Sequence, residues 1–205
     1  YLSLGIEGKY DAVEVKSGEL PAFMERVRQA EVNWIGFSLT MPLKEETLTV
    51  ADKVDALAKQ INSANTLLPT IDGWLATTTD VAGFIWALAQ HEVSNFKTVQ
   101  IIGAGATARA AAAAVDAQGR RIEVISRNSA RELPMRNCVL DAELSFSSWQ
   151  QVKLDADLVI NTSPKGAADD LPSGAGVLFE ALYDPWPTKL AANWGGKVID
   201  GMDLL

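Results

Sequence analysis

The sequence predicts an α/β protein in two parts, the second built on a mostly parallel sheet. Three observations carry this. Short apolar runs alternate with helically spaced apolar residues along the chain. A polar stretch, HEVSNFK at 91–97, interrupts them near the middle. After it, short apolar strands recur between helices or loops, as in a sheet covered on both faces.

Taken in order, YDAVEV (10–15) alternates and is rich in Val, which predicts a strand. A helix is expected over 19–32, where Leu20, Phe23, Met24, Val27 and Val32 share a face. NWIGFSL (33–39) reads as a second strand. The span 41–61 reads as a helix broken near Val50 and Ala51, with Pro42 in its first turn, where a missing N–H costs nothing. SANTLLPTIDGWLAT (63–77) predicts a hairpin turning at Asp72-Gly73. TDVAGFIWALAQ (79–90) predicts a helix, with Asp80 near its positive end. Beyond the polar stretch the strands are TVQIIG, RRIEVIS, DADLVIN, VLFEALY and KVID, with a Gly/Ala helix after the first. The run of alanines at 110–114 reads as a close-packed helix face.

Composition narrows the function classes. The chain has 205 residues, 48% hydrophobic and 21% charged, a globular profile. No apolar run reaches the ~20 residues that cross a bilayer. The lone Cys138 forbids an internal disulfide, and with His91 as the only histidine a dedicated zinc site is not expected. A net charge of −8 argues against a broad footprint on nucleic acid or anionic lipid, while leaving room for a small phosphorylated ligand in a local basic pocket. The expected setting is cytoplasmic.

The stretch IIGAGATARA at 101–110 contains Gly103-x-Gly105-x-x-Ala108, after a strand and opening a helix. In a dinucleotide fingerprint the first Gly permits the tight turn and the second lets backbone approach a pyrophosphate. The third, small residue lets the helix pack on the sheet. The helix N-terminus then offers free N–H groups. By itself the pattern fits an unliganded βα turn equally well. The next strand ends Ser126-Arg127-Asn128 where an acid often grips a ribose 2′-hydroxyl. An arginine there suits a 2′-phosphate and favours NADP over NAD; an exposed loop arginine is the plainer reading, and the same holds for Arg131.

In the first half, GFSLTMPLKEE (36–46) sets Ser38, Thr40 and Lys44 around a strand end and an expected helix start. A lysine there opposes the helix dipole, and such local breaks cluster at functional sites. Ser63-Ala64-Asn65-Thr66 and Thr77-Thr78-Thr79-Asp80 are further polar clusters, each also explicable as turn or cap chemistry.

These segments together resemble the shikimate dehydrogenase family. SLTMPLK, SANTLL, TTTDVAGF, GAGATARA, VINTSPKG, ALYDPWPTKL and VIDGMDLL resemble seven family segments in the right order over 36–205. The resemblance implies an α/β substrate domain over 1–92 and a Rossmann NADP-binding domain over 93–205, with the active site between them. It implies hydride transfer between NADP(H) and shikimate or 3-dehydroshikimate, in a monomer or homodimer that binds neither nucleic acid nor membrane. Residue by residue, Lys44 and Asp80 match the catalytic pair. Ser38, Thr40, Asn65 and Tyr183 match substrate positions. Gly103, Ala104, Gly105 and Ala106 match the pyrophosphate turn, and Arg127 the 2′-phosphate selector. Asn161, Thr162 and Ser163 match the loop beside the cofactor, and Gly201 a position near the nicotinamide.

The chain departs from the pattern in three places. No Ser-x-Ser pair precedes Tyr1-Leu2-Ser3, the glutamine expected beyond Leu205 is absent, and Thr78 stands for the usual Asn. The first two predict a chain lacking both family ends. Open alternatives are an NAD-linked quinate/shikimate dehydrogenase, a methylenetetrahydrofolate dehydrogenase on the same plan, and a non-catalytic dinucleotide sensor.

Overall fold

The structure is a computed structural model that describes residue 5 and residues 8–204; residues 1–4, 6, 7 and 205 lie outside the described residues. Two sheets organise it. The first contains β1 (Phe37–Ser38), β2 (Lys53–Val54), β3 (Thr66–Thr70) and β4 (Gly73–Thr77), in the spatial order β1-β3-β4-β2. The hairpin of β3 and β4 closes over Ile71 and Asp72, with Thr70 opposite Gly73. Pro69 lies beyond the pairing of β1, which covers Leu67 and Thr66 only, so its missing N–H breaks no ladder there.

Helix α1 (Leu20–Gln29) buries Leu20, Met24 and Val27 against this sheet's core, which also holds Leu39, Leu67, Trp74 and Ala76. The Phe37 ring sits amid Phe23, Trp34 and Trp74 at centroid distances of 5.7, 5.0 and 5.2 Å. Three expectations fail here. Residues 10–15 join neither sheet, and Tyr10 and Val13 stay exposed. Of 33–39 only Phe37–Ser38 pair. The helix expected over 41–61 is replaced by turns over 41–46, the short helices α2 (Thr47–Val50) and α3 (Ala56–Gln60), and β2 between them. Pro42 and Lys44 therefore lie on turns. The Lys44 carbonyl accepts from Ala64 N at 2.9 Å, an acceptor that a continuous helix would have used internally. Further on, Asp52 N and Asp55 N donate to the carbonyls of Trp74 and Ala76, which draws 52–55 onto β4.

Helix α4 (Asp80–Gln90) leads into the second sheet, built from β5 (Thr98–Ile102), β6 (Arg121–Ser126), β7 (Glu143–Ser148), β8 (Leu158–Asn161), β9 (Val177–Glu180) and β10 (Val198–Ile199). Its order is β7-β6-β5-β8-β9-β10, and every neighbouring pair is parallel. Renumbered from its first strand, that order is 3-2-1-4-5-6, the dinucleotide-binding arrangement, whose ligand crevice lies where the strand order reverses. Here that point falls between β5 and β8.

One face of the sheet is covered by α4 and α5 (Ala106–Val115) in a shared core, where Phe84 and Phe179 meet at 4.9 Å. Ala108 and Ala110–Ala112 are fully buried, the close-packed face expected of that alanine run. The other face buries Ile102, Ile125, Leu178, Leu190 and Trp194. Edge strand β7 goes beyond the sequence reading: ELSFSS offers only two apolar residues, Leu144 and Phe146, both half-buried. Short helices α6 (Glu132–Arg136) and α7 (Lys189–Ala192) complete the fold, and a final 3₁₀ turn, Gly201–Leu204, packs back on α4. Among the described residues no helix is long and apolar enough to cross a membrane.

Candidate active site

The local structure of the first half brings three distant residues together. Lys44 Nζ lies 2.6 Å from Asp80 Oδ2, with side chains only 15% and 9% exposed. Asn65, just before β3, donates from Nδ2 to Asp80 Oδ1 and to Thr79 Oγ1, both at 2.8 Å. Its Oδ1 accepts from Thr79 N at 3.0 Å and from Thr66 Oγ1 at 2.9 Å. Asn65 thus fixes the start of α4 and aims the Asp80 carboxylate at Lys44. Thr78, in place of the family Asn, accepts from Asp80 N through Oγ1 at 3.4 Å.

The β1–β3 ladder sets Ser38 opposite Thr66, and Leu39 N donates to the Asn65 carbonyl at 2.7 Å. Ser38 and Thr40 flank that contact with exposed side chains. Four of the five polar residues singled out in this half are thus tied to one end of the sheet by hydrogen bonds or register, and Thr40 follows close behind Ser38 in the chain. Tyr183 is 47% exposed on the segment after β9.

In the second half the glycine turn has the geometry its sequence implies. Gly103 sits at φ +107°, and a Cβ there would lie 2.7 Å from Thr162 Oγ1. Only glycine meets both conditions without strain. At Gly105 a Cβ would meet nothing within 4 Å, so backbone faces open space just before α5. No side chain caps α5, which leaves its first N–H groups available. Ala104 is buried and Ala106 opens the helix.

The loop after β8 crosses beside this turn. Thr162 N and Oγ1 both donate to the Ile102 carbonyl at 2.9 Å. Asn161 is buried and donates to both Glu180 carboxylate oxygens at 3.0 and 2.9 Å, while its Oδ1 accepts from Ser163 N and Oγ. These three side chains are occupied within the protein, so the loop can serve a ligand chiefly through its backbone. Burial pushes the Glu180 carboxyl above the usual range, against the lowering by its bonds from Asn161, Thr188 and Leu182 N. Gly201 is buried against Ala181, one strand end further along.

Arg127, at the end of β6, lies over the Trp149 ring, 4.6 Å from its centroid. Both line a cavity of about 530 Å³ that also offers Ser126, Ser129 and Ser148 and, on one side, Glu132. The open backbone at Gly105, the uncapped α5 and this serine- and arginine-lined cavity fit a phosphorylated dinucleotide.

Two residues set aside in the sequence have partners. His91, the lone histidine, has its Nε2 2.7 Å from Asp203 Oδ2. Arg131 reaches Glu45 Oε1 at 2.6 Å. The residue that sequence reasoning missed is Arg109. It is fully buried on α5, and it reaches Glu45 Oε1 at 2.9 Å and the carbonyls of Ile61 and Asn62 at 2.6 and 3.0 Å. A charged residue among alanines on a helix expected to pack closely was the available signal. Through it the glycine-turn helix lies within one side chain of the residue next to Lys44.

Comparison with known proteins agrees with this arrangement. Residues 1–67 match the family model described as the shikimate dehydrogenase substrate binding domain. A shikimate dehydrogenase (NADP(+)) of Pyrobaculum islandicum is 36% identical, over 100% of this chain and 79% of its own length. The chain belongs to the shikimate dehydrogenase family. Among solved family structures, that of the Mycobacterium tuberculosis shikimate dehydrogenase superposes with a TM-score of 0.83 at 32% identity, covering 100% of this chain and 81% of the other. The Thermus thermophilus shikimate 5-dehydrogenase in complex with NADP(H) and shikimate gives 0.80 at 28%, covering 99% and 79%.

The two glycines make opposite predictions. Gly103→Ala should lower unfolding stability by about 1–3 kcal/mol. Gly105→Ala, at φ −83° and ψ −169° with open space around it, should change stability by less than about 0.5 kcal/mol. Urea unfolding of the two variants without ligand checks both.

Proposed function

We propose that this chain interconverts 3-dehydroshikimate and shikimate with NADP(H), using Lys44 and Asp80 as its catalytic pair. The observation that carries the reading is the nearly buried Lys44–Asp80 contact of 2.6 Å, set beside exposed hydroxyls and linked to the glycine-turn helix through Arg109. Residue boundaries near 91–97 divide a substrate half from a cofactor half in this reading.

Bound NADP(H) supplies or accepts the hydride at the carbon that is carbonyl in one direction and alcohol in the other. Gly103, Ala104, Gly105 and Ala106 would hold its pyrophosphate by backbone, Arg127 its 2′-phosphate, and the Asn161-Thr162-Ser163 loop and Gly201 would bound its nicotinamide end. The protein's remaining task is the oxygen. An ammonium has three N–H donors, and Asp80 takes one from Lys44. The others are free to donate to the substrate oxygen, which gains negative charge as hydride reaches the carbon. In that direction a proton passes from Lys44 Nζ to the oxygen; in the reverse direction Nζ receives it. Asp80 fixes the lysine's direction, and Asn65 fixes Asp80.

A polyhydroxylated substrate needs several convergent polar groups. Ser38 and Thr40 on the exposed strand end, with Asn65 and Asp80, supply them, and the family resemblance adds Tyr183, exposed after β9. The Arg127 guanidinium, 4.6 Å from the Trp149 ring centroid in a cavity shared with several serines, suits a phosphate better than a free 2′-hydroxyl, which favours NADP over NAD. Glu132 lines the same cavity, but it lies 4.0 Å from Arg136, which shares its charge.

Lys44→Ala should lower kcat for shikimate oxidation by about 10²–10⁴-fold. Its NADP affinity, followed by fluorescence titration, should stay near wild type; loss of binding with unchanged kcat at saturation would remove Lys44 from the chemistry. Arg127→Ala should raise the KM for NADP by about tenfold or more while leaving that for NAD little changed, as expected when one charged phosphate contact is lost. Equal effects on the two cofactors would contradict the selector role.

A further inference from the structure

The Lys44 turn has little of its own structure to hold it. It precedes a helix of one turn, and the Lys44 carbonyl is held from outside by Ala64 N at 2.9 Å. Its next residue, Glu45, points instead to the cofactor half. A single oxygen, Oε1, accepts from Arg109 Nη2 at 2.9 Å and from Arg131 Nη1 at 2.6 Å. Arg109 has no exposed surface, and its Nε and Nη2 also donate to the carbonyls of Ile61 and Asn62. Those carbonyls immediately precede Ser63-Ala64-Asn65, the segment that holds both Lys44 and Asp80. One buried guanidinium therefore grips the two chain segments from which the Lys44–Asp80 pair is assembled.

Both arginines come from elements that also shape the dinucleotide site. Arg109 lies on α5, one turn past Gly105, and its N–H donates to the Gly105 carbonyl at 3.0 Å. Arg131 ends the turn Ser129–Arg131, whose first residue lines the Arg127 cavity. A surface ion pair would contribute little. This one differs because Arg109 is wholly buried, and a buried charge deprived of its partner is costly. The Glu45 carboxyl shows the balance: burial pushes its pKa up, and the two guanidiniums bring it below the usual range.

We propose that Glu45 is a positioning residue, which sets the place of Lys44 by tying its turn to Arg109 and Arg131 of the cofactor half. The inference rests on the assignment of Lys44 to catalysis. It makes the place of the lysine depend on the same helix and turn that receive the cofactor. Displacing a reacting group by about 1 Å can cost about 10²-fold in rate, which sets the size of effect a lost tether should have.

The test is Glu45→Gln, measured with shikimate and NADP. The expected result is a fall in kcat of about 10- to 100-fold, with the KM and dissociation constant for NADP within about twofold of wild type. A folded variant with unchanged kcat, or one whose loss lies wholly in the KM for NADP, overturns the proposal. If Glu45→Gln does not fold, Arg131→Met decides, since Arg131 is 44% exposed and its loss spares the core. At saturating NADP a several-fold lower kcat in that variant supports the tether, and an unchanged kcat overturns it. Absence of turnover in the wild-type protein would instead mark failure of the shikimate reading itself, before either variant is measured.

Discussion

A lysine and an aspartate held almost out of water, 2.6 Å apart, impose the constraint that shapes the first half of this molecule. Desolvation penalises each charge of such a pair, so the second carboxylate oxygen needs a hydrogen bond of its own. Asn65 meets that need on the Asp80 side with one amide that spans Asp80, Thr79 and Thr66. To bring it there, the chain runs a hairpin whose first strand starts just after Asn65 and whose second ends just before α4. The four-stranded sheet thus acts as a jig: its ladder register determines which polar side chains stand beside the pair.

The second half is governed by backbone more than by side chains. At the strand-order reversal between β5 and β8, Gly103 passes so close to Thr162 that no Cβ fits. The side chains of Asn161, Thr162 and Ser163 are spent on Glu180, on Ile102 and on one another. What is left facing outward is a rim of peptide groups and an uncapped helix end, a surface suited to phosphate. In the proposed reading, selectivity among dinucleotides falls to Arg127, which lies over the Trp149 ring at the end of the next strand.

Much of this was legible in the sequence, for identifiable reasons. Buried parallel strands such as TVQII and LVIN carry near-continuous apolar runs, whereas their pairing with each other, across two intervening strands in the chain, is not written in either run. The hairpin had its Asp-Gly signal and α4 its one-sided apolar face. Failures came where long-range contacts override local preference. The stretch 41–46 has good helical residues, yet Ala64 claims the Lys44 carbonyl. YDAVEV alternates like a strand but joins no sheet among the described residues. ELSFSS, half serine, pairs with β6 as an edge. The candidate site residues could be singled out through short motifs and the family resemblance, whereas Arg109 could not, because a buried arginine among alanines announces itself only when its three partners, forty-seven to sixty-four residues away, are seen around it.

The most direct measurement follows reduced-cofactor absorbance with saturating shikimate, once with NADP and once with NAD. The arrangement of Lys44, Asp80 and Arg127 predicts turnover with NADP and a much lower kcat/KM with NAD. A folded protein that binds NADP yet turns over shikimate with neither cofactor would contradict it.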